Sequence, residues 1–196
     1  MPTSRMEAFS DGVIAILITV MVLELKVPTG TRWSDLHQST PTLLTYVLSF
    51  VYLGIYWNNH HHMLMLTERI GGLVLWANLH LLFWLSLVPF ATGWMGQNHF
   101  AKVPASAYGI VLLGAAFAYY GLQTAIIRVQ GADSTLATAI GRDLKGKASP
   151  VLYVAAIALG FVNRWLAIAL YVVVALMWLI PDRRLERTIA TAELQR

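Results

Sequence analysis

The chain has 196 residues, 57% of them hydrophobic and only 12% charged, and its mean hydropathy is positive. These values depart from those of soluble domains and fit a chain whose main solvent is lipid. The formal charge of +4 sits beside the ends of apolar runs, where topology explains it better than nucleic acid does, and the absence of cysteine excludes disulfides, thiolate metal sites and a cysteine nucleophile.

Six apolar runs follow one another, with cores over residues 12–25, 43–57, 73–94, 105–127, 151–162 and 165–180. Several are shorter than the roughly 20 residues that cross hydrocarbon. The first gains length if Ala8–Asp11 is enclosed by neighbouring helices, and the second gains it from Asn58–His62. The first run is not a signal peptide, because Arg5, Glu7 and Asp11 precede it and Glu24-Leu25-Lys26 follows without a small-residue cleavage pattern. Trp33, Trp57, Trp94, Trp165 and Trp178 lie near run ends, as interfacial aromatics do.

Residues 128–149 form the longest polar connection and read as a loop broken by Gly131, Gly141 and Gly146. The stretch 151–180 reads as a tight hairpin interrupted at Asn163-Arg164 rather than as one helix. Charge asymmetry decides between the two. Six spans with the N-terminus inside put Arg5, Arg69, Arg128, Arg142, Lys145, Lys147, Arg183, Arg184, Arg187 and Arg196 in the cytoplasm and leave Lys26, Arg32, Lys102 and Arg164 outside. The expectation is an all-α integral membrane protein with six transmembrane helices over residues 1–182, a basic cytoplasmic tail over 183–196, and both termini cytoplasmic.

The most informative stretch is Arg5-Met6-Glu7-Ala8-Phe9-Ser10-Asp11, which leads directly into the first apolar helix. Ionisable residues this close to hydrocarbon face a bundle interior or a water-filled cavity, or else serve as a helix cap (Ser10, Asp11) and a headgroup anchor (Arg5). At 100° per residue Gly12, Ile16, Thr19 and Leu23 share one stripe, whereas Asp11 lies roughly 140° from Ile16. Asp11 therefore points toward neighbouring helices and needs donors there. The second run ends in Trp57-Asn58-Asn59-His60-His61-His62, and the third carries Asn78 and His80, so either can supply such groups at the same depth. Three consecutive histidines point in different directions on a helix and make a poor metal site.

The pattern Arg-x-x-x-Phe-Ser-Asp at Arg5, Phe9, Ser10 and Asp11 resembles the signature of the transmembrane protein 175 family of potassium channels. Trp57, His60 and Asn78 resemble that family's accompanying positions. The resemblance implies a prokaryotic single-repeat member that assembles as a homotetramer in the cell membrane, with potassium as the permeant ion, no cofactor, and the first helix of each subunit lining the pore. It also implies that the family's isoleucine constriction falls on Ile16.

No Thr-Val-Gly-Tyr-Gly sequence is present, so a carbonyl filter is not available. The reading that follows is a leak-like, potassium-selective channel in which a ring of Ile16 forms a dewetting constriction, Thr19 and Leu23 continue the same stripe, and Glu24 sits at the outer mouth. Thr19 either offers its hydroxyl to the ion or bonds back to the carbonyl of Ala15. Glu24 either concentrates cations or pairs with Lys26 or Arg32. Arg5, Phe9, Ser10, Asp11, Trp57, His60 and Asn78 are read as a network supporting the pore helix. A proton-coupled transporter or proton-permeable channel using Asp11 and His60, and a membrane enzyme built on the histidines, are the rival readings.

Overall fold

Met6, Ser10, Ile14, Leu17 and Met21 recur every three or four residues and form the buried stripe of a 21-residue helix, α1 (Thr3–Leu23). At 1.5 Å per residue this helix is about 31 Å long, the thickness of a hydrocarbon core. It begins well before residue 12, because neighbouring helices satisfy the polar groups of its first turns. The computed structural model describes residues 3–141 and 143–179; the basic tail over 183–196, Arg142 and the far end of the sixth apolar run lie outside them.

After α1 come a short helix α2 (Trp33–His37) and a 26-residue helix α3 (Thr40–Met65), which opens with a proline in its first turn, where no backbone donor is missed. The third apolar run is two helices rather than one, α4 (Gly72–Ser86) and α5 (Val88–Gln97). Pro89 has no N–H and its ring crowds the preceding turn, and Leu87 bonds instead to the carbonyl of Trp84. A 29-residue helix α6 (Lys102–Gln130) follows.

The connection read as a loop over 128–149 is largely helical. It contains α7 (Thr135–Ile140) and the first turn of α8 (Leu144–Gly160), which Asp143 caps by accepting the N–H of Gly146 at 2.9 Å. Three residues then reverse the chain into α9 (Arg164–Leu179), where Asn163 accepts the N–H of Trp165 at 2.9 Å. Among the described residues every regular element is a helix. The stretches Thr3–Leu23, Gly72–Gln97 and Lys102–Gln130 are long and apolar enough to cross a membrane.

Helix α6 packs between α4 and the α8–α9 hairpin, while α3 lies against α5 and α9. Glycines let α6 approach closely: a Cβ at Gly114 would enter the Trp84 ring, and one at Gly109 would meet the Tyr171 hydroxyl. Buried hydroxyls lock the bundle together. Ser49 on α3 bonds Thr92 on α5 (2.6 Å) and Tyr108 on α6 (3.0 Å), and Tyr52 donates to the carbonyl of Tyr171 (2.6 Å). Helix α1 packs on α3, α4 and α5 at the edge of this bundle, and no described residue covers its opposite face.

Candidate pore-lining helix and its supporting network

The uncovered face of α1 carries Phe9, Gly12, Ile16, Thr19 and Leu23. Ile16 is 61% exposed although it sits in the middle of an apolar helix. Thr19 donates its hydroxyl proton to the carbonyl of Ile16 at 2.8 Å. The acceptor is thus the Ile16 carbonyl rather than that of Ala15. With its proton held by the backbone, this exposed hydroxyl presents its oxygen lone pairs outward.

Behind this face, three polar side chains from three helices are almost wholly buried: Ser10 (0% exposed), His60 (1%) and Asn78 (2%). Their bonds run in one direction. Ser10 donates to the carbonyl of Met6 (2.8 Å) and accepts the amide N–H of Asn78 (3.0 Å), so the Asn78 oxygen faces Nε2 of His60 (2.8 Å). His60 must then carry its proton on Nε2 to donate. Its Nδ1 has no partner among the described residues. Helices α1, α3 and α4 are thereby joined at a single depth.

A second pair of bonds joins α1 to α3 along the edge of the exposed face. Trp57 donates its indole N–H to Asp11 at 2.9 Å, and His61 Nδ1 donates to Glu7 at 2.7 Å. The rings of Trp57 and His61 stack with an interplanar angle of 18°. Glu7 and His61 were not among the residues that the sequence assigned to the supporting network. The signal for them was present: Glu7 and Asp11 are four residues apart on one helix, as are Trp57 and His61 on the other, so each pair shares a face.

The other candidates fall elsewhere. Arg5 and Phe9 lie on the exposed side of α1, apart from both sets of bonds. His80, two residues beyond Asn78, faces outward and accepts the indole N–H of Trp84 at 3.0 Å. Glu24 pairs with neither Lys26 nor Arg32 among the described residues; it accepts from Gln97 on α5 at 3.3 Å and lies against Gly93, whose missing side chain leaves room for the carboxylate. A groove lined by Glu24, Phe90, Trp94 and Gln97 opens there. No group of three or more His, Asp or Glu side chains suited to a metal ion occurs among the described residues. His60 and His61 diverge to Asn78 and Glu7.

Residues 5–89 match a protein family described as endosomal/lysosomal potassium channel TMEM175. A Chryseobacterium protein named as a potassium channel is 52% identical over 96% of this chain and 98% of its own length. A potassium channel from Chamaesiphon minutus is 33% identical over 89% and 92% of the two chains. The zebrafish protein named endosomal/lysosomal proton channel TMEM175 is 29% identical over 65% of this chain but only 24% of itself. Among solved structures, the lysosomal potassium-selective channel TMEM175 homolog from Chamaesiphon minutus superposes with a TM-score of 0.76 at 30% identity, covering 91% of this chain and 96% of that one.

Proposed function

This chain belongs to the TMEM175 family, a family of ion channels rather than enzymes, and from that premise we propose that it is a leak-like potassium channel of a prokaryotic plasma membrane. Four copies of a six-span subunit enclose a water path lined by α1, with both termini cytoplasmic. The ring of Ile16 side chains is the constriction. It stands in place of a carbonyl filter, forcing partial dehydration of the ion and dewetting when closed. Thr19 offers hydroxyl oxygens beyond it, and Leu23 completes the narrow stripe. Glu24 draws cations toward the outer mouth.

The observation that carries this reading is the two-sidedness of α1. One stripe is sealed into the bundle by Met6, Ile14, Leu17 and Met21, while Ile16 and Leu23 on the other are left exposed by the described residues. Cyclic closure of several subunits on the uncovered stripe makes an aqueous path. The potassium-channel names of the bacterial relatives support the choice of ion.

Purified protein in a planar bilayer, with potassium on one side and sodium on the other, tests permeation and selectivity together. A reversal potential displaced toward the potassium equilibrium potential is the expected result, and a reversal near zero rejects potassium selectivity. The proton-channel names of the animal relatives favour a second reading, in which the same path passes protons. It predicts a reversal potential that follows an imposed pH gradient at symmetrical potassium.

A further inference from the structure

His80 is exposed although it lies about 12 Å beyond Gly72, inside an apolar stretch long enough to cross a membrane. Its Nε2 accepts the indole N–H of Trp84 at 3.0 Å, so the neutral ring carries its proton on Nδ1. That donor has no acceptor among the described residues. An imidazole at this depth is costly against lipid chains, and such groups face protein or water instead. Asn58 on α3 is in the same condition. It is half-buried, and its side-chain amide makes no hydrogen bond to a described residue.

The bond between His60 and Asn78 (2.8 Å) fixes the level of α3 against α4. These two helices are consecutive and run in opposite directions, so two residues back from His60 and two residues on from Asn78 move the same way, by about 3 Å each. Asn58 and His80 are therefore level with one another. The same two steps turn each side chain by about 200°, away from the shared bond and to opposite flanks of the pair. One subunit cannot join them. Rotation about the membrane normal preserves depth, so a ring brings the Asn58 flank of one copy to the His80 flank of the next at matching height.

Gly54 points to the same contact. It lies one turn from Asn58, and no described residue comes within 4 Å of the place a Cβ would take. Glycine weakens a helix relative to alanine, and the described residues have no need of it here. Small residues on a membrane helix let a second helix approach closely. Phe83, 56% exposed and one turn beyond His80, stands within about 1.5 Å of the level of Gly54. We infer that α3 of one subunit packs on α4 of a second copy of this chain, with His80 Nδ1–H donating to the Asn58 amide oxygen across the boundary and Phe83 seated over Gly54. This rests on the cyclic assembly proposed above and names the two surfaces that close it.

The chain contains no cysteine, so introduced pairs report directly. The full-length protein is purified in detergent, its mass is measured by light scattering, and the double variant Asn58→Cys with His80→Cys is treated with a two-carbon bis-methanethiosulfonate linker. Non-reducing denaturing gels show a ladder of covalent oligomers. Neither single variant gives one, because a head-to-tail contact never sets a residue against itself. Asn58→Cys paired with Val154→Cys, an exposed position on α8, gives none either. His80→Phe lowers the oligomeric share about threefold in dilute detergent, and adding Asn58→Leu lowers it no further. Gly54→Leu lowers it as well. An oligomeric mass without a ladder, an equal ladder in the Val154 pair, or an oligomeric share unmoved by both His80→Phe and Gly54→Leu overturns the contact and leaves the assembly standing. A ladder from a single variant overturns the head-to-tail geometry, and a monomeric wild type overturns the assembly and the contact together.

Discussion

The carboxylate of Asp11 and the indole of Trp57 meet at 2.9 Å on the rim of the uncovered α1 face, 46 residues apart in the chain. This bond sets the rotation of α1 against α3, and with it the direction in which Ile16 points. Trp57→Phe removes the donor and keeps the stack on His61. It is expected to alter open probability in single-channel records while leaving unitary conductance unchanged. Asp11→Asn retains an acceptor but loses the charge, and its effect should not add to that of Trp57→Phe. A coupling energy of about 1–2 kcal/mol between the two is expected; simple additivity, or channels indistinguishable from wild type, would remove Asp11 from gating.

Asn78 is the middle member of a buried chain of bonds, so its loss strands a donor on His60 and an acceptor on Ser10. Asn78→Leu leaves the Nε2–H of His60 without an acceptor, at a cost of about 1–3 kcal/mol. Thermal unfolding in detergent should show a melting temperature several degrees lower. The double substitution His60→Leu with Asn78→Leu removes both partners at once and should be less harmful than the sum of the single changes. Full additivity would mean that the two side chains do not act on each other.

On the proposal that Ile16 forms the constriction, Ile16→Asn should hydrate the narrowing, raise leak current and lower the preference for potassium over sodium, whereas Ile16→Leu should preserve both. Reversal potentials under mixed-ion conditions measure the change. Unchanged current and selectivity in Ile16→Asn would place the narrowing elsewhere.

Two glycines on α6 should respond in opposite ways to the same change. A Cβ at Gly109 meets the Tyr171 hydroxyl and lies 2.8 Å from Ile157, and Tyr171 is committed to the carbonyl of Ala105 at 2.9 Å. Gly109→Ala should cost about 1–3 kcal/mol through overpacking. Gly121 is exposed, and no described residue comes within 4 Å of the place a Cβ would take. There alanine should stabilise the helix by about 0.5–1 kcal/mol. Melting temperatures of the two variants moving in the same direction would contradict this account of the α6 interfaces.

The sequence by itself determined that the chain is helical and membrane-embedded, that α1 is two-faced, and that Ser10 and Asp11 turn away from Ile16. These follow from apolar run length and a fixed 100° per residue, which are local quantities. Only the tertiary structure decided which partners those side chains meet. Asn78 and His80 are two residues apart on one helix, yet 200° of rotation sends the first to Ser10 and the second to Trp84. Glu24 was legible as a charge at a helix end, but its partner Gln97 sits beyond a proline break that apolar run length conceals. Asp143 caps α8 and also takes the amide of Gln123 on α6, 20 residues away. Which buried groups pair depends on the depth and rotation at which distant helices pack, and side-chain periodicity within one helix does not encode either.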